Sequence, residues 1–268
     1  MKDFNIYKLR LSQSLEDKLF FMDKLDLSSY DLVVDFGCGT GTVLNAIYQR
    51  LQNKNRPLLV GYDNSVEMLN FAAQSTSREI QYINSMDTLE VAVQSAKKSM
   101  IIFNSVLHEM DEFQQRKILN TIMTKFTTVV VRDMKRPLNN EPISNITRKR
   151  VLAQVALWQA QLFESRWGKI RDKETLYRFF LMNEFVENFE TEVEEDYFGV
   201  LWSDIAWRLK PQYECVYEHS FTLPYRKQQV KKRFNHVMHD ITHRKVIFTR
   251  STAQEGTLTN EKETSLSN

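Results

Sequence analysis

The chain has 268 residues, 42% of them hydrophobic and 26% charged, with 36 basic side chains against 34 acidic ones. That is the composition of an ordinary globular protein, long enough for one large α/β domain or a domain carrying an insertion. The near-neutral balance decides nothing about partners. No apolar run approaches the length of a membrane span, and the opening stretch MKDFNIYKLRLSQSLEDKLFF mixes charges into its apolar residues without a small-residue cleavage site. Neither a transmembrane helix nor a signal peptide is expected. The two cysteines, Cys38 and Cys215, form no metal pattern and no disulfide framework, and are expected as free thiols in the cytoplasm.

Five strand-like runs alternate with helical patterns through the first half: DLVVDF (31–36), PLLVGYD (57–63), EIQYIN (79–84), SMIIFN (99–104) and TTVVVRD (127–133). Runs so nearly continuous in apolar residues suit strands covered on both faces. Between them, Leu44, Ile47, Tyr48 and Leu51 mark one helix face, and Asn64 with Glu67 stands at capping-box spacing before Met68, Leu69 and Ala72. A third helix is expected to bury Phe113, Ile118, Leu119 and Ile122. Strands alternating with helices of this length predict βαβ crossovers and a parallel sheet.

After Pro137 the pattern changes. Residues 141–211 read as helix throughout and hold all four tryptophans, Trp158, Trp167, Trp202 and Trp207. A segment this long exceeds an ordinary connection, so a helical insertion is expected, its tryptophans and phenylalanines forming a small core of its own. Two further strand-like pieces, 213–225 and 243–250, are expected to pair antiparallel at the sheet's edge. The division is then a core of 1–140 and 212–250, an insertion of 141–211, and a polar tail, 251–268, expected to be disordered.

The glycine loop GCGTGT (37–42) has three readings. A P-loop needs a Lys-Ser/Thr pair after its last glycine, which is missing. A dinucleotide fingerprint needs G-x-G-x-x-G, and here the third place is Thr42, with Gly41 one residue early. The remaining spacing, G-x-G-x-G preceded by Asp35, suits a small cationic nucleoside. Glycines admit the ligand to the backbone, the helix start offers donors to a carboxylate, and Asp35 offers a counter-charge to an ammonium. Asp63, ending the next strand, stands where an acid accepts hydrogen bonds from ribose hydroxyls.

These residues resemble the class I S-adenosylmethionine (SAM)-dependent methyltransferases. VVDFGCGTG is similar to their first motif, with Asp35, Gly37, Gly39 and Gly41 in its acidic and glycine positions. VGYDNSVEML is similar to the second, which makes Asp63 the ribose ligand. NSVLHEM (104–110) resembles the segment beside the sulfonium, which brings in Asn104. The adenine contact falls to Ser85 and Met86, where the family often has an acid. The resemblance covers roughly residues 30 to 135 and the closing strands. It implies a Rossmann-like, doubly wound, mostly parallel seven-stranded sheet with an antiparallel closing strand, and SAM as cofactor.

Methyl transfer mainly requires a positioned acceptor and, for some acceptors, removal of a proton. His108 and Glu109 after the fourth strand, and Asp133 after the fifth, are the catalytic candidates. No [DN]-P-P-[FYW] tetrapeptide follows the fourth strand and there is no Pro-Cys nucleophile, which argues against DNA as substrate. His236, His239 and His243 have a spacing compatible with zinc on a helix, but Asp240 is the nearby carboxylate and no cysteine is close; a polar loop is expected there, and no metal. Basic residues Arg226, Lys227, Lys231, Lys232, Arg233, Arg244, Lys245 and Arg250, with Arg148, Lys149 and Arg150, would suit RNA phosphates. The acidic run ENFETEVEED in the insertion opposes a uniformly positive surface. The acceptor therefore stands between a small molecule and RNA, with the insertion expected to set the choice. A SAM-binding sensor or partner subunit that methylates nothing is the alternative.

Overall fold

A computed structural model describes residues 14–51, 55–184 and 186–251; the first thirteen residues of the opening stretch and the tail after residue 251 lie outside the described residues. Val-rich segments build the centre of the sheet. β1 (Leu32–Phe36), β4 (Ser99–Asn104) and β5 (Thr128–Met134) are buried at every position, as strands covered on both faces must be. β2 (Leu58–Tyr62) and β3 (Ile80–Ile83) extend one side, β6 (Tyr213–Phe221) and β7 (His243–Arg250) the other. Among the described residues the order is β3-β2-β1-β4-β5-β7-β6. The first five strands are parallel, Asp35 standing opposite Gly61 on one side and Ile102 on the other. β7 runs antiparallel to β5 and to β6, closing the sheet as expected.

Side chains alternate between the two faces. Val34, Phe36, Ile101, Phe103, Val129 and Val131 face one way and meet Leu89 and Val93 of α4 (Met86–Ser95) and Leu119 of α5 (Glu112–Thr121). Val33, Met100, Ile102, Val130 and Ile247 face the other way. They meet Leu44 and Ile47 of α2 (Thr42–Arg50) and Leu69 of α3 (Val66–Ser75), with Phe20 and Phe21 following the short α1 (Leu15–Lys18). Each side chain so enclosed contributes roughly 1.5–3 kcal/mol of transfer free energy.

The stretch from 141 to 211 is not helix throughout. It is broken into α6 (Asn145–Leu152), α7 (Leu157–Trp167), α8 (Lys173–Met182), α9 (Phe189–Glu192) and α10 (Trp202–Leu209). A third apolar cluster joins Val151, Phe163, Phe179, Phe180 and Phe189 to Val230 and Phe234 of α11 (Pro224–Phe234). Packing thus departs from the expected boundaries. α10 belongs to the sheet, with Ile205 and Leu209 in the cluster of α4 and α5, while α11, expected with the core, packs on the inserted helices.

The tryptophans do not make the inserted core. Trp207 is 75% exposed and Trp158 47%, Trp202 packs on the sheet cluster, and Trp167 sits at the edge of the helical cluster. Phe113 is likewise 77% exposed, since α5 turns Leu119 and Ile118 inward. α3 takes its N-cap from Ser65, one residue after Asn64. Among the described residues no helix is long and apolar enough to cross a membrane.

Candidate active site

The carboxyl ends of β1, β2, β4 and β5 converge on the glycine loop. Gly37, Gly39 and Gly41 all have positive φ. At Gly37 a Cβ would lie 2.4 Å from Val106 Cγ2, so the turn after β4 rests directly on the loop. At Gly41, the N-cap of α2, a Cβ would strike the Tyr82 hydroxyl at 2.2 Å. Only glycine fits both the dihedrals and the space. Asp63 ties the loop down: Gly39 N–H donates to Oδ2 at 2.9 Å and Ser65 N–H to Oδ1 at 2.9 Å, each oxygen keeping acceptor capacity.

Asp35 is 2% exposed and its Oδ1 has no hydrogen-bond partner among the described residues. Burial pushes its carboxyl up to about 7, against the pull of Lys18. Asn104, at the end of β4, is also buried with Oδ1 unpartnered, its amide reaching the Lys18 carbonyl at 3.4 Å. Lys18 was not a sequence candidate. Burial, with Arg132 adding to it, brings its ammonium down to about 8, while Asp35, Asp133 and Glu109 draw it upward. Ser85 caps α4, accepting from Thr88 N–H at 3.3 Å, and Met86 is partly buried against the sheet.

The turn after β4 begins with Ser105 at φ 58, a left-handed conformation that costs a non-glycine residue about 1 kcal/mol. It is held by Arg132, which donates to Ser105 Oγ at 2.6 Å and pairs with Asp17 at 2.7 Å. Asp133, fully buried, organises the rest. Val106 and Leu107 N–H donate to its Oδ2 at 3.1 and 2.8 Å, and Met134 N–H to its Oδ1 at 2.7 Å. His108 Nδ1 lies 2.6 Å from the same Oδ1. Burial raises the Asp133 carboxyl, but His108 and the backbone donors outweigh it and hold the group below its usual range. Both its oxygens are thus engaged with the turn after β4, with Met134 and with the His108 ring.

His108 is 6% exposed. Burial alone would lower its imidazole, yet Asp133, with Glu109 and Glu195, raises it to about 9. Its Nε2 faces Glu195 Oε2 at 3.7 Å, and Tyr197 meets the ring edge-on at 5.5 Å between centroids. Both residues come from the inserted segment, Glu195 inside the acidic run and Tyr197 directly after it. Glu109 is exposed beside them.

The other sequence candidates are dispersed. His243 is buried on β7 with Nδ1 on Thr242 Oγ1 at 2.8 Å, His236 packs on Phe180 at 5.1 Å, and His239 is exposed. Much of the basic segment is engaged internally: Arg226 with Glu184 at 2.9 Å, Arg233 with the Asn183 carbonyl, Arg244 with Glu218 at 2.9 Å, Lys245 with Asp17 at 2.8 Å and Arg250 with the Thr124 carbonyl at 2.6 Å. A cavity of about 400 Å³ between α8 and α11 is lined by Phe180, Arg226 and Phe234.

A family model described as "Methyltransferase domain" matches residues 27–196. The chain belongs to the SAM-dependent methyltransferases. No match is found among curated proteins. Among solved structures this methyltransferase is similar to LepI in complex with SAM (13% identity, TM-score 0.46, covering 88% of this chain and 46% of that one). It is also similar to the pyocyanin biosynthetic protein PhzM (12%, TM-score 0.49, 91% and 57%). A third is the plantazolicin methyltransferase BamL in complex with a triazolic desmethylPZN analog and SAH (12%, TM-score 0.47, 89% and 84%). The chain spans about half the length of the first two.

Proposed function

We propose that this methyltransferase acts on a small molecule held between the turn after β4 and the inserted helices, with SAM bound across the ends of β1, β2 and β4. One observation carries the cofactor placement: among the described residues the buried Oδ1 atoms of Asp35 and Asn104 lack partners, with the Lys18 ammonium interacting with Asp35. Orphaned buried acceptors are costly, and an amino-acid group satisfies them. The cofactor's ammonium suits Asp35 and its carboxylate suits Lys18, while Asp63 keeps acceptor capacity for ribose hydroxyls. Ser85 and Met86 border the adenine end. Bound SAM supplies a methyl group on a sulfonium, a leaving group that needs no further activation.

The chain's own work is then positioning. Asp133 fixes the turn after β4 and the His108 ring, so that Nε2 looks toward the acceptor side. Glu195 and Tyr197 enclose that side from the insertion. The enclosure favours a small acceptor over RNA, and so does the internal pairing of Arg226, Arg233, Arg244, Lys245 and Arg250. The division into a core, its inserted helices and α11 is part of the same reading.

The test uses methyl-labelled SAM and a lysate separated into RNA, protein and small-molecule fractions. Label is expected in the small-molecule fraction and is expected to vanish with Asp35→Asn. Label in RNA or protein overturns the acceptor class. SAM binding with no label anywhere favours the sensor alternative.

A further inference from the structure

We propose that His108, Glu109 and Glu195 form a divalent-cation site joining the turn after β4 to the inserted segment. Its role beside the acceptor rests on the methyl-transfer reading; its existence does not. One ligand atom from each of the three residues lies within 4.8 Å of the other two. A cation with ligands at about 2.1 Å separates neighbouring ligand atoms by roughly 3 Å and opposite ones by roughly 4.2 Å. A closure of about an ångström therefore completes the site, and Glu195 Oε2 already stands 3.7 Å from His108 Nε2.

A second observation is independent of the carboxylate cluster. His108 is a deeply buried imidazole whose Nδ1 is committed to Asp133 at 2.6 Å, and Asp133 is itself immobilised by three backbone N–H groups. A carboxylate behind Nδ1 orients the ring so that an incoming cation displaces the Nε2 proton and takes its lone pair, the usual support of a metal-bound histidine. Nε2 is aimed at the two glutamates and stands beyond hydrogen-bonding distance of Glu195. Charge agrees: with Asp133 behind the ring, three carboxylates surround one imidazole.

One nitrogen and two carboxylates suit Mn²⁺ or Zn²⁺ better than a soft ion. Three protein ligands leave coordination positions for water or for an oxygen or nitrogen of the acceptor. Because Glu195 comes from the insertion and the other two from the turn after β4, the cation also fastens the cover to the sheet.

The experiment is a Mn²⁺ titration of the full chain after EDTA treatment and dialysis, followed by electron paramagnetic resonance and calorimetry, with SAM titrated in parallel into the metal-free protein. One saturable Mn²⁺ per chain is expected, with a ¹⁴N coupling from one imidazole in the pulsed spectrum. Glu195→Gln, at a partly exposed position, is expected to weaken Mn²⁺ binding by about tenfold or more while the metal-free melting temperature is retained. His108→Gln is expected to abolish the ¹⁴N coupling. Absence of saturable binding at millimolar Mn²⁺, or binding that survives Glu195→Gln with no nitrogen coupling, overturns the site. SAM binding without Mn²⁺ binding removes the cation site alone; Mn²⁺ binding without SAM binding removes the cofactor placement alone.

Discussion

Asp133 Oδ1 lies 2.6 Å from His108 Nδ1, and the same carboxylate accepts the N–H groups of Val106, Leu107 and Met134. One side chain at the end of β5 thus holds both the turn after β4 and the His108 ring. Asp133→Asn replaces an acceptor with a donor facing Met134 N–H. It is expected to lower stability by about 3 kcal/mol, read as a shift in the urea midpoint at unchanged slope.

Asp35 is buried without a partner for Oδ1 among the described residues, so its charge opposes folding and, in the proposed placement, serves binding. Its folded-state value, about 7, lies above the unfolded one. The stability that protonation gives is present below about 4 and lost as pH rises through about 7. Asp35→Asn is expected to be more stable than the parent at neutral pH, by about 2 kcal/mol. That advantage grows between pH 4 and 7 and is flat above, which denaturant unfolding at a series of pH values checks.

Cofactor binding should show the opposite face of the same group. In the proposed placement SAM needs Asp35 ionised and Lys18 charged, and these groups sit at about 7 and about 8 in the free protein. Affinity is expected to peak between those values, falling on the acid side as Asp35 gains a proton and on the alkaline side as Lys18 loses one. Calorimetric titration across pH 6 to 9 reads both limbs, and a flat profile would refute the assignment.

Lys18→Met retains the aliphatic body and removes the charge. Loss of a charge-assisted hydrogen bond predicts roughly tenfold to a hundredfold weaker SAM binding. The melting temperature of the free protein is expected to hold or rise, because a buried ammonium is being removed.

Lys227, Lys231 and Lys232 are exposed on α11. Replacing all three by alanine is expected to leave methyl transfer and its salt dependence unchanged. A loss that deepens with salt is the signature of phosphate contacts, and would restore RNA as the acceptor.

Much of this was legible before any coordinates. Asp35, the 37–41 loop and Asp63 are close in sequence to the strands that present them, and their types follow from local needs of dihedral angle and charge. Lys18 was hidden because LEDKLFF looks like any short amphipathic piece. Its burial comes from packing over β4, which no local pattern records. Glu195 lies in the acidic run that was read only as opposing a positive surface, and Tyr197 follows it; the fold turns both toward His108. The tryptophans misled for a related reason. Ring size suggests a core, but Trp158 and Trp207 point outward, and the phenylalanines of α7, α8 and α9 do the packing. The ends of a helical run do not say which layer each helix joins, so the packing of α10 on the sheet cluster was not legible.

The division of labour at His108 bears on how such an enzyme is retargeted. Everything that grips the ring from below belongs to the sheet and to one carboxylate that tolerates little change. Everything that meets it from above, Glu195 and Tyr197, arrives on a connection between β5 and β6. A new acceptor can be accommodated by rebuilding that connection and leaving the strand ends untouched. On the proposed acceptor placement, replacing residues 186–200 is expected to change the choice of acceptor while SAM affinity is retained.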